Sequence, residues 1–361
     1  MSDDFRFEEN LARAATLPSS WYVDPAVLDR ERERVFGKTW QLVGAAEDLA
    51  QPGDFLVAEV AGEPVVVARG EDGALRAFSN VCRHRAGPVA CGRGHRPSLR
   101  CGYHGWTYGL DGRLLATPEF EGVLDFDRAA VRLPELRAAT FGPLAFVHLD
   151  LGAPALERVL GEMTAETASL GLERLRFHRR QDYEVACNWK VYVDNYLEGY
   201  HIPIVHPGLF REIDYTAYRV ETREHHSRQR APVRSSSPES PYRRSLGAGN
   251  EPQALYYWLF PNLMLNAYPD HVQVNLVLPL GPERTLVRFD WLVPDPSRPG
   301  LEPELRRSFA FSDEVQREDA ALCESVQRGL RSRFYDRGRY CVKRENGVHH
   351  FHGLLAAALR S

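Results

Sequence analysis

The sequence reads Cys-Arg-His at residues 82–84 and Cys-Gly-Tyr-His at residues 101–104. Each stretch supplies one thiol and one imidazole, and 16 residues lie between the two stretches. With 6 cysteines and 13 histidines in 361 residues, a Cys-x-His pair is expected by chance only about 0.2 times. The pairing of Cys82 with His84 and of Cys101 with His104 therefore predicts a metal centre held by two loops.

Equal numbers of thiolates and imidazoles favour a metal group with two different ends. Two thiolates can bind one iron and two imidazoles the other, which is the ligand set of a Rieske [2Fe–2S] centre. The alternative is a Cys2His2 zinc site, although zinc fingers usually separate a cysteine pair from a histidine pair. Glycines in both loops would let backbone amides approach the cluster, and Trp106 would shield it from water. Cys91 lies between the two stretches, and we assign it no role.

The loops lie in a region that is rich in short β-strand patterns. From Thr39 the chain alternates between β-rich runs, such as residues 54–60 and 64–68, and turn signals containing Gly, Pro or Asp. Many short strands at close spacing predict a small all-β domain that extends to about Leu149. Before it, residues 8–36 read as helix.

A second group of polar residues lies around His201 and His206. Five residues of continuous helix would leave the two imidazoles about 140° apart around the axis. Pro203 and Pro207 indicate that the helix is interrupted, so both imidazoles can turn inward. Two histidines and one carboxylate form the facial triad of non-haem Fe(II) oxygenases, which leaves positions open for O2.

The second half of the chain predicts an antiparallel sheet and a long helix. Strand patterns occur at residues 176–186, 254–260, 263–267, 271–278 and 285–293, and a helix is predicted from about 302 to 330. Residues 223–252 are rich in Arg, Ser, Pro and Gly and read as a long loop, either a solvated insertion or a lid over a pocket. Strands followed by a long helix favour an α+β domain in which the sheet grips the helix.

Composition excludes several classes of protein. The formal net charge is −4, which gives no electrostatic basis for nucleic-acid binding. No run of 18 apolar residues is present to span a membrane. The chain opens with acidic residues where a signal peptide needs basic ones, so we expect a cytoplasmic protein whose cysteines are free or bind metal.

The segments 82–85 and 101–106 resemble the cluster domain of Rieske non-haem iron oxygenases. The resemblance extends from Trp21 to Leu330 and implies an α+β protein, with an all-β Rieske [2Fe–2S] domain and a helix-grip catalytic domain. The implied division is an N-terminal helical segment (1–38) packing on the catalytic domain, the Rieske domain (39–150), and the catalytic domain (151–361). Respiratory Rieske proteins carry a disulfide whose cysteines would fall at Gly87 and Tyr103 here, so that subclass is disfavoured.

The resemblance also assigns residues to two metal sites. It implies that the [2Fe–2S] cluster is bound by Cys82, His84, Cys101 and His104, and the mononuclear Fe(II) by His201, His206 and Asp319. Glu198 matches the carboxylate that links a cluster histidine of one subunit to an iron histidine of the next, which implies a homotrimer. Glu318 and Asp313 lie on the same predicted helix and read as solvated charges.

The implied reaction uses O2 as cosubstrate and electrons from outside the chain. A separate reductase that oxidises NAD(P)H is required, because no Gly-x-Gly-x-x-Gly follows a strand in this sequence. An alternative of a different class is a Rieske electron-transfer protein, which would have no use for the histidine pair at 201 and 206. Iron analysis separates the two, with about three irons per chain for the oxygenase and two for the carrier.

The substrate expected from the resemblance is a small quaternary ammonium compound similar to choline, glycine betaine or carnitine, oxidised at a carbon next to its nitrogen. The aromatic segment 255–270 is similar to that of these oxygenases, and aromatic faces attract a quaternary ammonium. The candidate substrate-binding residues are Asp194, Tyr257, Phe260, Asn266 and Tyr268. The alternative is hydroxylation or O/N-demethylation of an aromatic or specialised metabolite. The histidines at 349, 350 and 352 read as a surface or subunit-contact feature.

Overall fold

The computed structural model describes residues 5–234 and 253–360. The chain divides into two compact units, one formed by Arg32–Leu156 and the other by Met1–Glu31 together with Glu157–Ser361. The boundaries expected from the sequence were 38 and 150. The first unit contains the two cysteine–histidine stretches, and the second contains the histidine pair. Among the described residues, no helix is long and apolar enough to cross a membrane.

The unit of residues 32–156 is built from short antiparallel strands. One sheet has seven strands in the order β1-β10-β9-β4-β3-β2-β5, and a smaller sheet has the order β6-β7-β8. The strands are β1 (Gln41–Ala45), β2 (Asp54–Val60), β3 (Glu63–Arg69), β4 (Leu75–Ser79), β5 (Arg93–His95), β6 (Leu99–Arg100), β7 (Thr107–Tyr108), β8 (Leu114–Ala116), β9 (Glu135–Phe141) and β10 (Leu144–His148). The predicted all-β organisation of this region is confirmed.

The core beneath the cysteine–histidine loops is aromatic. Phe55, Phe78, Trp106 and Tyr108 are all buried, and the two cysteines Cys82 and Cys101 belong to the same cluster of buried side chains. The loops therefore pack on a buried, aromatic part of the core. Their cysteines point toward the core, whereas His104 is exposed.

The other unit is dominated by one antiparallel sheet of seven strands in the order β11-β17-β16-β15-β14-β13-β12. These strands are β11 (Arg176–Val185), β12 (Arg219–Thr222), β13 (His226–Pro232), β14 (Gln253–Leu259), β15 (Leu263–Ala267), β16 (Val272–Gly281) and β17 (Arg284–Val293). The long antiparallel strands and the helix against them confirm the predicted α+β fold class.

The helices of the molecule differ greatly in length. They are α1 (Ser20–Val23), α2 (Pro25–Arg34), α3 (Leu156–Leu160), α4 (Glu162–Glu166), α5 (Trp189–Tyr196), α6 (Ile202–Val205), α7 (Pro207–Glu212), α8 (Leu301–Leu330) and α9 (Asn346–Arg360). Single turns of 3-10 helix occupy Phe36–Lys38, Ala46–Leu49, Arg128–Ala130, Ala168–Leu170, Leu172–Arg174 and Tyr215–Ala217.

The long helix α8 packs one face against the sheet and against α5. It begins after Gly300, whose φ of 80° ends the preceding turn, and its first turn carries Glu302 and Glu304 near the positive end of the helix dipole. Its buried residues recur with helical spacing, including Leu305, Ser312 and others toward its C-terminus. Four of the buried side chains are polar (Ser308, Ser312, Gln316 and Gln327), and the hydroxyl of Ser312 donates to Gln273 of the sheet.

Residues 8–36 do not form the single helix expected from the sequence. Helix occurs only in α1 and α2, because Pro18 and Pro25 interrupt the pattern and Pro25 becomes the first residue of α2. The carboxylate of Glu31 on α2 lies 2.6 Å from Nζ of Lys190 on α5, and both side chains are fully buried. The indole N–H of Trp189 donates to the same carboxylate at 2.7 Å. This buried ion pair fastens α2 to α5.

The structure corrects two further expectations. The first expectation is the loop over residues 223–252. Residues His226–Pro232 instead form β13, whose Arg228 and Arg230 pair with Glu221 on the neighbouring strand β12. Residues 235–252 lie outside the described residues. The histidine cluster belongs to helix α9 and is not a surface feature throughout. His352 is 1% exposed, since the sequence around it is amphipathic and its ring lies on the buried face.

Candidate functional site: two metal centres

The two cysteine–histidine loops share one backbone design. The N–H of Cys82 donates to the carbonyl of Gly87 at 2.8 Å, and the N–H of Cys101 donates to that of Trp106 at 2.9 Å. In each loop the fifth residue then donates back to the cysteine carbonyl, at 3.0 Å in both cases. That residue has positive φ in both loops, 56° at Ala86 and 74° at Gly105. Two equivalent turns thus present a cysteine and a histidine each.

The side chains of the loops meet where a cluster would lie. The ring centroids of His84 and His104 are 4.7 Å apart, and His84 stacks on buried Trp106. The buried Nδ1 atom of His84 has no hydrogen-bond partner among the described residues, as expected for a nitrogen that binds metal. A Cβ at Gly87 would lie 3.0 Å from Sγ of Cys101, a tighter contact than Cβ atoms usually make, so glycine leaves the most room beside that thiol.

A tyrosine contacts the first thiol. The hydroxyl of Tyr108 lies 3.3 Å from Sγ of Cys82, and it accepts the N–H of Arg83 at 2.9 Å. Burial raises the pKa of Tyr108, so the hydroxyl keeps its proton. When Cys82 is a thiolate that binds metal, its sulfur can only accept, and the hydroxyl would donate the hydrogen bond. Hydrogen bonds to ligand sulfurs are one of the means by which a protein tunes an iron–sulfur cluster.

In the other unit, His201, His206 and Asp319 converge. Their potential ligand atoms all lie within 4.8 Å of one another. Nε2 of His206 is 2.9 Å from Oδ1 of Asp319, and Nε2 of His201 is 3.8 Å from the same oxygen. The helix is interrupted at His206, between α6 and α7, as Pro203 and Pro207 predict.

Each of the two imidazoles is held on its other nitrogen by a carboxylate. Nδ1 of His201 is 2.6 Å from Glu198, and Nδ1 of His206 is 2.6 Å from Glu318. Such outer contacts fix the tautomer and turn Nε2 toward a metal. The expectation that Glu318 is merely solvated is therefore corrected: its side chain is long enough to reach back from α8 to His206.

The pKa of His206 and a hydrogen bond from Asn195 to Asp319 are two further features of this group. Burial disfavours a charge on His206, but its contacts with Asp319 and Glu318 outweigh burial and raise its pKa. The Nδ2 of Asn195 on α5 donates to Oδ1 of Asp319 at 2.6 Å. The carboxylate of Glu198 also accepts the backbone N–H groups of Tyr200 and His201, which fixes it between α5 and α6.

The other residue read as solvated, Asp313, accepts the hydroxyl of Tyr183 at 2.6 Å.

A cavity of about 100 Å³ opens beside His201, His206 and Asp319. Among the residues that the structure describes, seven aromatic side chains line it: Tyr192, Tyr196, Tyr218, Tyr256, Tyr268, Phe289 and Phe311. One wall is a row of paired positions across four strands, because Gln229, Tyr256, Asn266 and Gln273 are successive cross-strand neighbours. Residues directly opposed in antiparallel strands point to the same face of the sheet.

The structure brings only some of the predicted substrate residues to this cavity. Asn266 and Tyr268 line it. Tyr257 points to the other face of β14, because side chains alternate along a strand, and its hydroxyl donates to the carbonyl of Glu166. Phe260 packs near Phe351 instead.

Asp194 also lies away from this cavity. Its carboxylate accepts the hydroxyl of Tyr22 at 2.7 Å and lies 2.8 Å from Nε2 of His352. It lines a neighbouring cavity, which shares Asn195 and Glu198 with the first one. The polar residues that sequence reasoning missed include Asn195 on α5, Gln316 on α8, and Gln273 and Asn275, which alternate with apolar residues on β16.

Two family models match this chain. Residues 39–127 match the Rieske [2Fe–2S] domain, and residues 172–361 match the ring hydroxylating alpha subunit (catalytic domain). The chain belongs to the ring-hydroxylating Rieske oxygenases. As an enzyme of this family it uses a Rieske cluster, a mononuclear iron, O2 and electrons from a separate reductase, as predicted. The reading as a pure electron carrier is excluded, because the catalytic domain is present.

Relatives of this oxygenase include two groups of monooxygenases. Choline monooxygenase of Arabidopsis thaliana is 39% identical over 96% of this chain and 83% of its own. The carnitine monooxygenase oxygenase subunit of Escherichia coli (strain K12) is 31% identical over 100% of this chain and 99% of its own. The crystal structure of the quaternary ammonium Rieske monooxygenase CntA with L-carnitine matches with a TM-score of 0.83, 30% identity and coverage of 97% of each chain.

Proposed function

We propose that this Rieske oxygenase oxidises a quaternary ammonium compound. The observation that carries the proposal is the cavity beside His201, His206 and Asp319, whose wall contains seven aromatic side chains. The faces of aromatic rings attract a quaternary ammonium by cation–π interaction. The relatives named choline and carnitine monooxygenase, and the CntA complex with L-carnitine, support this class of substrate.

The proposal assigns the metal ligands as the sequence suggested. His201, His206 and Asp319 would hold the mononuclear iron, since their ligand atoms form a compact group. The [2Fe–2S] cluster would be held by Cys82, His84, Cys101 and His104. These side chains fit it chemically, because both cysteines are free thiols and Nδ1 of His84 has no hydrogen-bond partner among the described residues. When bound, the cluster supplies electrons one at a time and the iron activates O2.

The protein's own side chains then orient the reactants. Glu198 and Glu318 keep the two imidazoles turned toward Asp319. Burial raises the pKa values of Tyr192, Tyr196 and Tyr218, so the cavity wall presents neutral phenols rather than phenolates. A C–H bond of the substrate becomes C–OH, and the second oxygen atom of O2 leaves as water with two electrons and two protons.

We also propose a homotrimer in which Glu198 passes electrons from a neighbouring subunit's cluster to His201. Glu198 holds Nδ1 of His201 at 2.6 Å while its own side chain stays 11% exposed. The relative CntA is described as showing inter-subunit electron transfer. Sedimentation of the purified protein at equilibrium tests the trimer, and a monomer that retains coupled turnover would contradict it.

The function is tested by oxygen consumption of the iron-replete enzyme with a surrogate reductase. Choline, glycine betaine and L-carnitine are compared with benzoate and naphthalene. The neutral isostere of choline, 3,3-dimethylbutan-1-ol, isolates the contribution of the charge. We expect turnover of at least one quaternary amine, with the uncharged isostere about tenfold weaker or worse. Formaldehyde would indicate N-demethylation, and an aldehyde of the substrate would indicate oxidation of a chain carbon.

A variant pair at Tyr256 makes the test specific to the aromatic wall. Tyr256→Leu removes the ring and is expected to raise KM for the quaternary amine much more than for the neutral isostere. Tyr256→Phe keeps the ring and serves as the matched control. Turnover confined to aromatic compounds would overturn the proposal and favour the alternative of an aromatic or specialised metabolite.

A further inference from the structure

One end of the cavity is polar, and its residues come from β16 and α8. The strand carries Gln273 and Asn275, which alternate with valines and therefore point to the same face. The helix carries Ser312 and Gln316, four residues apart and therefore on one face. All four line the cavity, and each is less than 9% exposed. Buried polar side chains at this density need partners.

In the hydrogen bonds at this polar end, the acceptor is in each case a side-chain amide oxygen. The hydroxyl of Ser312 donates to Oε1 of Gln273 at 3.0 Å, and Nε2 of Gln273 donates to Oδ1 of Asn275 at 2.9 Å. The hydroxyl of Tyr192 donates to Oε1 of Gln316 at 2.5 Å. The three amide oxygens of Gln273, Asn275 and Gln316 therefore each accept a hydrogen bond from a donor of the protein. What remains at the end of each chain of hydrogen bonds is an amide N–H.

These amide N–H groups are left without acceptors. Nε2 of Gln316 is buried and has no hydrogen-bond partner among the residues that the structure describes. Nδ2 of Asn275 donates no hydrogen bond to the described residues either, although it is not one of the fully buried atoms that lack a partner. A buried donor without an acceptor costs about 1–3 kcal/mol, so an oxygen atom of a ligand in the cavity would remove this cost.

We propose that Gln316 and Asn275 are specificity-determining residues that donate hydrogen bonds to an oxygen of the substrate. The inference rests on the proposed function, because it concerns an oxygen carried by a quaternary ammonium compound. Gln316 lies three residues before Asp319 on α8, on the same helix face, so the bound oxygen would lie close to the metal ligands.

The bound oxygen is assigned to a hydroxyl group. The two donors are neutral amides, which can offset the lost hydration of a hydroxyl. A buried carboxylate needs a cationic partner. Among the described residues that line the cavity there is no Lys or Arg, and the positive charge of an iron held by His201, His206 and Asp319 would already face the carboxylates of Asp319 and Glu198. The geometry therefore favours a quaternary ammonium alcohol over a quaternary ammonium acid.

The test compares two substrates that differ only in the hydroxyl. Choline and ethyltrimethylammonium carry the same cationic head, and their kcat/KM ratio measures how well the enzyme recognises the hydroxyl. The variants Gln316→Met and Asn275→Leu replace each amide with an apolar side chain of similar shape. We expect each to lower the choline to ethyltrimethylammonium ratio by about tenfold, chiefly through KM. A ratio taken on one preparation is independent of the fraction of active enzyme.

A matched control is Gln181→Met on β11, a substitution of the same type at a residue that does not line this cavity. It is expected to leave the ratio unchanged. Equilibrium dissociation constants of the two compounds, measured by calorimetry on the oxidised holoenzyme without reductant, give a second readout that does not depend on turnover. They should show the same loss of discrimination.

The outcomes separate the inference from the proposed function. If the wild-type enzyme oxidises no quaternary amine, the proposed function itself is wrong. If it oxidises choline but both variants keep the wild-type ratio, the two amides do not bind the hydroxyl and the inference is overturned. If glycine betaine is preferred to choline, and its kcat/KM falls by the same tenfold factor in both variants, the assignment to a hydroxyl is overturned.

Discussion

Replacing Tyr108 with Phe should lower the reduction potential of the cluster. Tyr108 is fully buried, and its hydroxyl lies 3.3 Å from Sγ of Cys82. The substitution keeps the aromatic ring that packs in the core and removes only the O–H group that donates to sulfur. The backbone N–H of Arg83 loses its acceptor at the same time. The change therefore acts on the electrostatics of the ligand more than on packing.

The size of the effect follows from the difference in charge between the two redox states. Reduction adds one negative charge, so a donor to the ligand sulfur stabilises the reduced cluster more than the oxidised one. Hydrogen bonds to charged groups contribute about 1.5–3 kcal/mol and neutral ones about 0.5–1.5 kcal/mol, a difference of about 1 kcal/mol. For a one-electron couple, 59 mV corresponds to a tenfold change in the equilibrium constant. We therefore expect a decrease of about 40–60 mV.

Protein-film voltammetry on the iron-replete enzyme measures this decrease directly. Tyr103→Phe is the control, because Tyr103 is 58% exposed and stacks on His104 through its ring, which the variant keeps. Its potential should match that of the wild type. A Tyr108→Phe protein with a full complement of cluster iron and a potential within about 10 mV of wild type would refute the reasoning, as would an increase.

Three further outcomes follow from the contacts. Lys190→Met leaves the buried carboxylate of Glu31 without its partner and should lower the free energy of unfolding by about 3–5 kcal/mol in urea titrations, whereas a variant with both residues replaced by Met should recover part of the loss. Glu318→Ala removes the carboxylate behind one iron-site imidazole and should weaken iron binding about 10–100-fold in dialysis measurements, with the cluster signal unchanged and exposed Glu314→Ala as the control; equal iron contents would contradict it. Burial, together with neighbouring histidines, lowers the pKa of His350 from 6.5 to about 4, so the unfolded chain binds a proton that the folded chain does not, and stability falls as the pH drops from 6.5 toward 4. His350→Leu should lose about 2 kcal/mol less than wild type between pH 7 and pH 5 in urea unfolding, and an equal loss would contradict this assignment.

The cluster loops could be predicted from the sequence because their chemistry is local. Cys82 with His84, and Cys101 with His104, lie within a few residues of each other, so spacing alone carries the signal. The hydrogen bond from Tyr108 to sulfur could not be foreseen in this way. It depends on a strand that follows the second loop and places a hydroxyl under the first loop.

The proposed iron site depends on contacts between residues that lie more than a hundred positions apart in the chain. The pairing of His201 with His206 and the break in the helix were visible in the prolines. Asp319 was found only through the resemblance. Glu318 was missed because adjacent residues on a helix point about 100° apart, so a reading of helix faces directs one toward the site and the other toward solvent. The length of the glutamate side chain overcomes that angle.

The substrate pocket was the hardest part to predict, for reasons of strand geometry. The aromatic segment was recognised, but Tyr257 lies one position along the strand from Tyr256, and a shift of one residue exchanges the faces of a sheet. A usable signal was present in β16, where Gln273 and Asn275 alternate with valine and leucine in a strand that is otherwise apolar. Polar residues on the buried face of a strand indicate a pocket or a polar network.

In the catalytic unit, the proposed iron site and the proposed substrate donors are both held by contacts between helices α5 and α8. On α5, Tyr192 and Asn195 are three residues apart, and on α8, Gln316 and Asp319 are also three apart. Tyr192 donates to Gln316 and Asn195 donates to Asp319, so two parallel hydrogen bonds join the helices one turn apart. One bond fixes the proposed substrate donor and the other fixes the proposed metal ligand. A change that moves α5 relative to α8 should therefore alter iron affinity and substrate discrimination together.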